Sequence, residues 1–160
     1  MFDNLITDRT ILDFERWRTL RDKGYENMTE AERAEFAGDM KGAYNASDLN
    51  RVGEVLNYLR DRLTAAGYLG GNEFAARVDW TVGEIPTAEQ FSDYLGAVHT
   101  VREAMSQKET TPPAPADIGS LDYEGANHIE IILIDIEDLI TKMRAARHFF
   151  GDLFCGEIGG

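Results

Sequence analysis

The sequence has few of the residues that define several large classes of protein. Cys155 is the only cysteine in 160 residues, so no internal disulfide can form, and a disulfide-stapled secreted fold is excluded. No basic residue stands near Cys155 in its Gly-rich surroundings, and we interpret it as a small apolar residue or an idle thiol.

Positive charge is also scarce, with 16 Lys and Arg against 29 Asp and Glu and a formal net charge of -13. Proteins that bind nucleic acid or an anionic membrane surface need clustered Lys and Arg, so we expect neither partner. The longest apolar run, at residues 131–134, is too short to cross a bilayer. The N-terminus, MFDNLITDRT, lacks the basic and apolar regions of a secretory signal, which predicts synthesis and folding in a cytoplasm.

Patterns for catalysis, cofactors and metals are missing too. There is no Gly-x-Ser-x-Gly motif and no Gly-rich phosphate or dinucleotide motif. Glu124 and His128, like His99 and Glu103, stand four apart, whereas di-iron bundles use Glu-x-x-His. We therefore predict no catalytic residue, no cofactor, no metal ligand and no small-molecule substrate. An enzyme would need its histidines to converge in a polar pocket from distant helices.

Three segments carry apolar residues at alternating steps of three and four, which is the pattern of a helix with one buried face. They predict long helices over 48–66, 88–106 and 123–150. The third contains IEIILIDIEDLI, which is rich in β-branched residues, but its spacing persists too long for a strand. The residues on the three faces are Leu49, Val52, Leu56, Leu59, Leu63 and Ala66; Phe91, Tyr94, Val98, Val101 and Met105; and Ile129, Ile132, Ile136, Leu139, Met143, Ala146 and Phe150.

Polar residues at the expected helix starts agree with these assignments. Ser47 is predicted to cap the first long helix, Thr87 the second and Asp122 the third. Within residues 1–40 the pattern predicts a helical pair, with one helix from about Ile11 to Lys23 and another opening at Thr29. Two sequons, at Asn27 and Asn45, place their hydroxyl residues at these predicted caps, so we interpret them as capping sequences.

The predicted fold is all-α, a single helical-bundle domain over residues 1–150. It consists of three long antiparallel helices with one or two N-terminal helices and a Pro-rich linker near 109–119. Residues 69–86 alternate in a way that fits a short extended segment. Residues 151–160 are Gly-rich and are predicted to form a short extended tail.

Five apolar residues are candidates for an interface. Leu153, Phe154 and Ile158 lie outside the helical stripes, in a tail that could add a strand to a partner. Trp17 and Trp80 could each anchor a contact, although a core position is the commoner role for such residues.

Several segments carry a resemblance to a known family when they are taken in order. The most specific is Gly42-Ala43-Tyr44-Asn45 followed by Asp48-Leu49-Asn50-Arg51-Val52. The chain resembles small proteins and C-terminal modules encoded by phages and prophages of gut Firmicutes, and the similarity covers nearly its whole length. The other segments are LITDRT, NMTEAE, DW followed by IPT, TPPAPAD, ANHIEIILIDIEDLI and GDLFCGEI.

The resemblance implies a structural role in a virion, among tail, baseplate or fibre proteins, and it carries over no catalytic residue. The expected function is that of a non-enzymatic virion or assembly protein, found in the virion tail. Its expected partners are other virion or tail proteins, or a second copy of itself. The alternative is a small acidic phage protein that binds and inhibits a basic host partner, which the net charge of -13 suggests.

Overall fold

The computed structural model describes residues 1–117 and 121–154, with the backbone alone described over 148–154. It is all-helical within that part of the chain. Two short 3-10 turns, Phe2–Asn4 and Tyr25–Asn27, accompany the α-helices. These are α1 (Ile11–Lys23), α2 (Glu30–Ala37), α3 (Ala46–Ala65), α4 (Ala88–Glu103) and α5 (Tyr123–Phe154).

Capping interactions fix where these helices begin. Thr29 and Thr87 accept a hydrogen bond from the third residue of α2 and α4, as predicted. Asp122 accepts one from the backbone N–H of Gly125 at the start of α5, which confirms that prediction also. The prediction for α3 was wrong by two residues, because Asn45 is the cap and accepts from the N–H groups of Ser47 and Asp48.

The core forms where α3, α4 and α5 pack against one another. The predicted stripes supply it. Their buried members are Leu49, Val52, Leu56, Leu59 and Leu63 of α3, Phe91, Tyr94, Val98 and Val101 of α4 with Met105 beyond it, and Ile129, Ile132 and Ile136 of α5. The stripes therefore predicted which face each long helix buries, except near the end of α5, where Ala146 of the predicted stripe is exposed.

The three long helices run parallel, so the predicted antiparallel arrangement was wrong. Residue numbers rise together on α3 and α5 along their contact, from Arg51 with Glu130 to Arg62 with Glu137. Beyond the end of α3, Tyr68 reaches Met143. Antiparallel helices would pair rising numbers with falling ones.

α4 has the same direction as α5. Near their starts, Phe91 of α4 and Ala126 of α5 line one cavity. Just past the end of α4, Lys108 forms ion pairs with Asp135 and Asp138 of α5. All three long helices therefore begin at the same end of the bundle.

In a parallel bundle, each connection must bring the chain back to the end where the previous helix began. The first such connection, residues 66–87, is called the first return segment, and it lies along α3. Asn57 bonds both the N–H and the C=O of Ala76, and Asn50 does the same for Trp80. From Asn57 to Asn50 the helix rises about 10 Å. Only near-extended backbone covers that distance between residues 76 and 80.

Gly53 lies between the two asparagines on the same face of α3, and it allows the return segment to approach closely. A Cβ at this position would lie 2.6 Å from the carbonyl oxygen of Arg77. The backbone of the return segment thus occupies the place of a side chain.

The second return segment is the connection of residues 104–122. Its described part lies along α4, and prolines take the place of the asparagine contacts. Arg102 donates to the carbonyl of Pro112 at 2.9 Å, and His99 lies 3.1 Å from the carbonyl of Pro115. Proline has no N–H, so only its carbonyl needs a partner. The prolines therefore suit an extended segment packed against a helix.

Two further expectations can be compared with the structure. The expected extended tail began at residue 151, but α5 continues through Phe154. The remainder of the tail, residues 155–160, lies outside the described part of the chain. No residue in the described part of 69–86 forms a strand, so its alternating pattern reflects extended backbone bound by asparagine side chains rather than by a sheet.

We expect Gly53→Ala to lower the free energy of unfolding by about 1–3 kcal/mol, because the added methyl must displace the return segment. Gly96→Ala is the matched control, since a Cβ at Gly96 of α4 meets nothing within 4 Å. That variant should gain about 0.5–1 kcal/mol from helix propensity. Urea unfolding followed by circular dichroism measures both, and equal changes would contradict the close approach.

Candidate functional site

A buried cluster of charges lies near the starts of the long helices. Arg9 is 4% exposed, and its Nη2 donates to Asp48 of α3 at 2.8 Å and to Glu130 of α5 at 2.7 Å. Arg51 bonds the same two carboxylates. Two guanidinium groups therefore face two carboxylates, which makes the cluster electrically neutral.

The charge cluster attaches the N-terminal segment to the bundle. The backbone N–H of Ile6 donates to Glu130 at 2.5 Å, and Arg9 Nη1 donates to the carbonyl of Ile6 at 2.6 Å. Asn127 of α5 accepts from the N–H of Arg9 and donates to its C=O. This is the third asparagine that bonds both backbone groups of one residue in a non-helical segment.

The protonation states around this cluster follow from its surroundings. Burial lowers the pKa of Arg51, but its hydrogen bonds and ion pairs with Glu130 and Asp48 outweigh that effect and raise the pKa overall. Tyr94 is buried and hydrogen-bonded through its hydroxyl to half-buried Tyr44. Loss of hydration raises the pKa of both phenols, so both stay protonated at neutral pH.

A cavity of about 320 Å³ opens beside the charge cluster, where α1 meets the starts of the three long helices. Its walls are mostly apolar, with Arg9 and Lys41 as the cationic members. The apolar and aromatic residues of the lining are Phe14, Trp17, Tyr44, Leu49, Ile85, Pro86, Phe91, Leu121, Tyr123 and Ala126.

The turn at residues 81–84 stands at the rim of this cavity, and its backbone is tightly fixed. The Glu84 carboxylate accepts from the N–H and the hydroxyl of Thr81, while the N–H of Glu84 bonds the C=O of Thr81. Gly83 has φ +94°, which suits the third position of such a turn. The Arg77 guanidinium donates to the carboxylates of Asp79, just before the turn, and Glu84, within it.

Two apolar side chains project from this fixed backbone into solvent. Val82 is 99% exposed and Ile85 is 88% exposed. We call residues 81–86 the apolar turn. Since the turn is already ordered, a partner that covered these side chains would gain the hydrophobic free energy without first having to order the loop.

Of the predicted interface side chains, the structure describes Trp17 and Trp80. Trp80 is 7% exposed and belongs to the core, with the Arg77 guanidinium 4.0 Å from its ring centroid. The structure thus gives Trp80 a core position, the commoner role for such a residue, and its interface role stays a prediction. Trp17 is half-buried at the cavity, where its interface role stays a prediction. The side chains of Leu153 and Phe154, and all of Ile158, lie outside the described residues.

Sequence reasoning missed the charge cluster, the asparagines and the apolar turn. Glu130 sits inside an apolar run, which is where a carboxylate needs a buried partner. Asn50, Gly53 and Asn57 repeat at steps of three and four, which indicated a second packed face on α3. For Val82 and Ile85, no sequence signal distinguished exposed from buried apolar residues.

Other kinds of site were sought in the described residues. No group of three or more His, Cys, Asp or Glu among them could hold a metal ion. No helix in that part of the chain has both the length and the apolar character that a bilayer crossing requires. Comparison with protein-family models, curated proteins and solved structures gave no match.

We expect Glu130→Gln to lower the free energy of unfolding by about 3–5 kcal/mol, because it leaves the buried guanidinium of Arg9 and the half-buried one of Arg51 facing one carboxylate. Glu137→Gln is the control. It removes one partner of Arg62 at a half-buried position, which should cost about 1 kcal/mol or less. Urea unfolding at neutral pH measures both variants. A Glu130 variant no less stable than the control would contradict a structural role for the cluster.

Proposed function

We propose that this chain is a non-enzymatic, protein-binding component of a phage particle, associated with the tail, baseplate or fibre. The resemblance of its sequence to phage-encoded proteins supports the placement in a phage particle. The binding role is carried by one observation, the fixed turn that exposes Val82 and Ile85.

The apolar turn is ordered by its own hydrogen bonds before any partner binds. Val82 and Ile85 bury little of their surface within the chain, yet hydrogen bonds between Thr81 and Glu84 order the turn that carries them. Burying one aliphatic side chain of this size contributes about 1.5–3 kcal/mol. A pre-ordered turn keeps most of that contribution as affinity, because little conformational entropy is lost on binding.

The charges around the turn define the partner further. Glu89 flanks it as an exposed carboxylate, while Asp79 on the other side is paired with Arg77, and the chain as a whole carries a net charge of -13. A complementary surface has an apolar depression with Lys and Arg at its rim. The partner in this proposal is a particle protein with such a surface.

The alternative is a small acidic protein that inhibits a basic host partner, and the net charge of -13 is the observation that favours it. The two functions differ in salt dependence and in location. Binding through long-range charge weakens steeply as salt rises, whereas binding through an apolar turn persists. Mass spectrometry of purified particles distinguishes the locations, since only a particle component remains with them through washing in high salt.

We expect Val82→Ser with Ile85→Ser to weaken binding to the particle partner by about tenfold or more, because two apolar side chains are lost from the contact. Leu12→Ser is the control, since Leu12 is 71% exposed on α1 and does not line the cavity. Incorporation of tagged protein into particles is the measurement. Equal incorporation of the double variant and the control would exclude the apolar turn as the docking element.

A further inference from the structure

A second feature of the surface, separate from the apolar turn, is a groove between the first return segment and α4. Its volume is about 480 Å³. Residues 73–77 and Trp80 form one wall. The other wall is a face of α4, made of Gln90, Ser92, Asp93, Tyr94, Gly96, Ala97 and Thr100. We call this feature the return groove.

The first wall has unpaired backbone. The bonds from α3 reach Phe74, Ala76 and Trp80, through Arg60, Asn57 and Asn50 respectively. Ala75 lies between two of these residues and is exposed, and its N–H and C=O form no hydrogen bond within the described residues. The carbonyl of Arg77 faces Gly53 of α3, so Ala75 is the residue within 73–77 that offers both backbone groups. An extended backbone with free N–H and C=O groups can pair with another extended segment.

The second wall is flat enough to admit such a segment. Gly96 is exposed, and a Cβ there would meet no atom within 4 Å. The hydroxyl of Thr100 bonds back to the carbonyl of Gly96 at 2.8 Å, so it does not project into the groove as a free donor. The missing side chain at Gly96 leaves room for a second backbone between the helix and the return segment.

The charges of the groove select the occupant. Glu73 on the return segment and Asp93 on α4 are both exposed, and neither forms an ion pair within the described residues. Arg77, the cation of the lining, is already bonded to Asp79 and Glu84. Two unpaired carboxylates on opposite walls complement Lys or Arg side chains.

From these observations we propose that the return groove binds an extended peptide segment rich in Lys or Arg. Its backbone pairs with Ala75, and its basic side chains face Glu73 and Asp93. The occupant is a flexible basic segment of another protein. This site does not depend on the apolar turn.

The probe for this proposal is the peptide acetyl-Val-Lys-Val-Lys-Val-amide, whose five residues match the length of the wall formed by residues 73–77. Titration of ¹⁵N-labelled protein should shift the amide signals of Ala75, Arg77 and Gly96. The acidic analogue acetyl-Val-Glu-Val-Glu-Val-amide should produce no shifts there. A probe with N-methylated lysines should bind about tenfold more weakly, since main-chain pairing is lost.

Two variants test the walls. Glu73→Gln with Asp93→Asn keeps the shapes of both side chains and should weaken binding about fivefold. Gly96→Val should abolish binding, and a dispersed NMR spectrum checks that it folds. The variant with Val82→Ser and Ile85→Ser should bind the probe like the unaltered protein, which separates this site from the proposed function. Equal binding of the basic and acidic peptides, or shifts that map away from the groove, would overturn the proposal.

Discussion

The structure depends on an asparagine side chain that bonds both the N–H and the C=O of one residue in a segment without regular structure. Asn50, Asn57 and Asn127 each do this. A primary amide is suited to the role because it holds a donor and an acceptor side by side, as a neighbouring strand would. The backbone groups of a helix are already bonded to each other, so they cannot pair with a segment packed against the helix. A buried backbone N–H or C=O that stays unpaired costs about 1–3 kcal/mol. The asparagines therefore let non-helical backbone pack directly on helices.

The parallel bundle follows from this interaction. Parallel helices need connections that traverse the whole bundle, and such a connection is stable only if its backbone groups find partners. Asparagine supplies them along α3, and proline reduces the need along α4. Parallel alignment places three helix starts, each with partial positive charge, at one end. Asp48, Glu89 and Glu124 lie in the first turns there and offset that charge.

The fold could be predicted from the sequence only in part. Apolar stripes identified the long helices and their buried faces, because a period of three and four residues reports which side of a helix leaves water. They could not report whether neighbouring helices run parallel or antiparallel, since the same apolar stripe is buried in either arrangement. The lengths of the connections, residues 66–87 and 104–122, held that information. Short loops join antiparallel helices, whereas connections this long allow the chain to return to the end where the previous helix began. Asn45 and Ser47 are equally good capping residues, so the sequence alone did not decide between them. The structure shows that Asn45 caps α3.

The candidate site was less predictable for a different reason. Arg9, Asp48 and Glu130 are far apart in sequence. Arg9 and Asp48 each resemble a solvated surface charge, and the apolar run around Glu130 does not identify its partner. Only the tertiary structure brings them together. The exposure of Val82 likewise depends on where the turn lies relative to the cavity, which local sequence does not encode.

The direction of the helices tests this account most directly. Pairs of spin labels placed at Glu89 and Glu124, and at Glu103 and Glu124, all exposed in the structure, measure it in a Cys155→Ser background. The parallel arrangement predicts that the pair from Glu103 is farther apart by about 10 Å, because α4 carries the label away from the start of α5. A shorter distance from Glu103 than from Glu89 would contradict the parallel bundle.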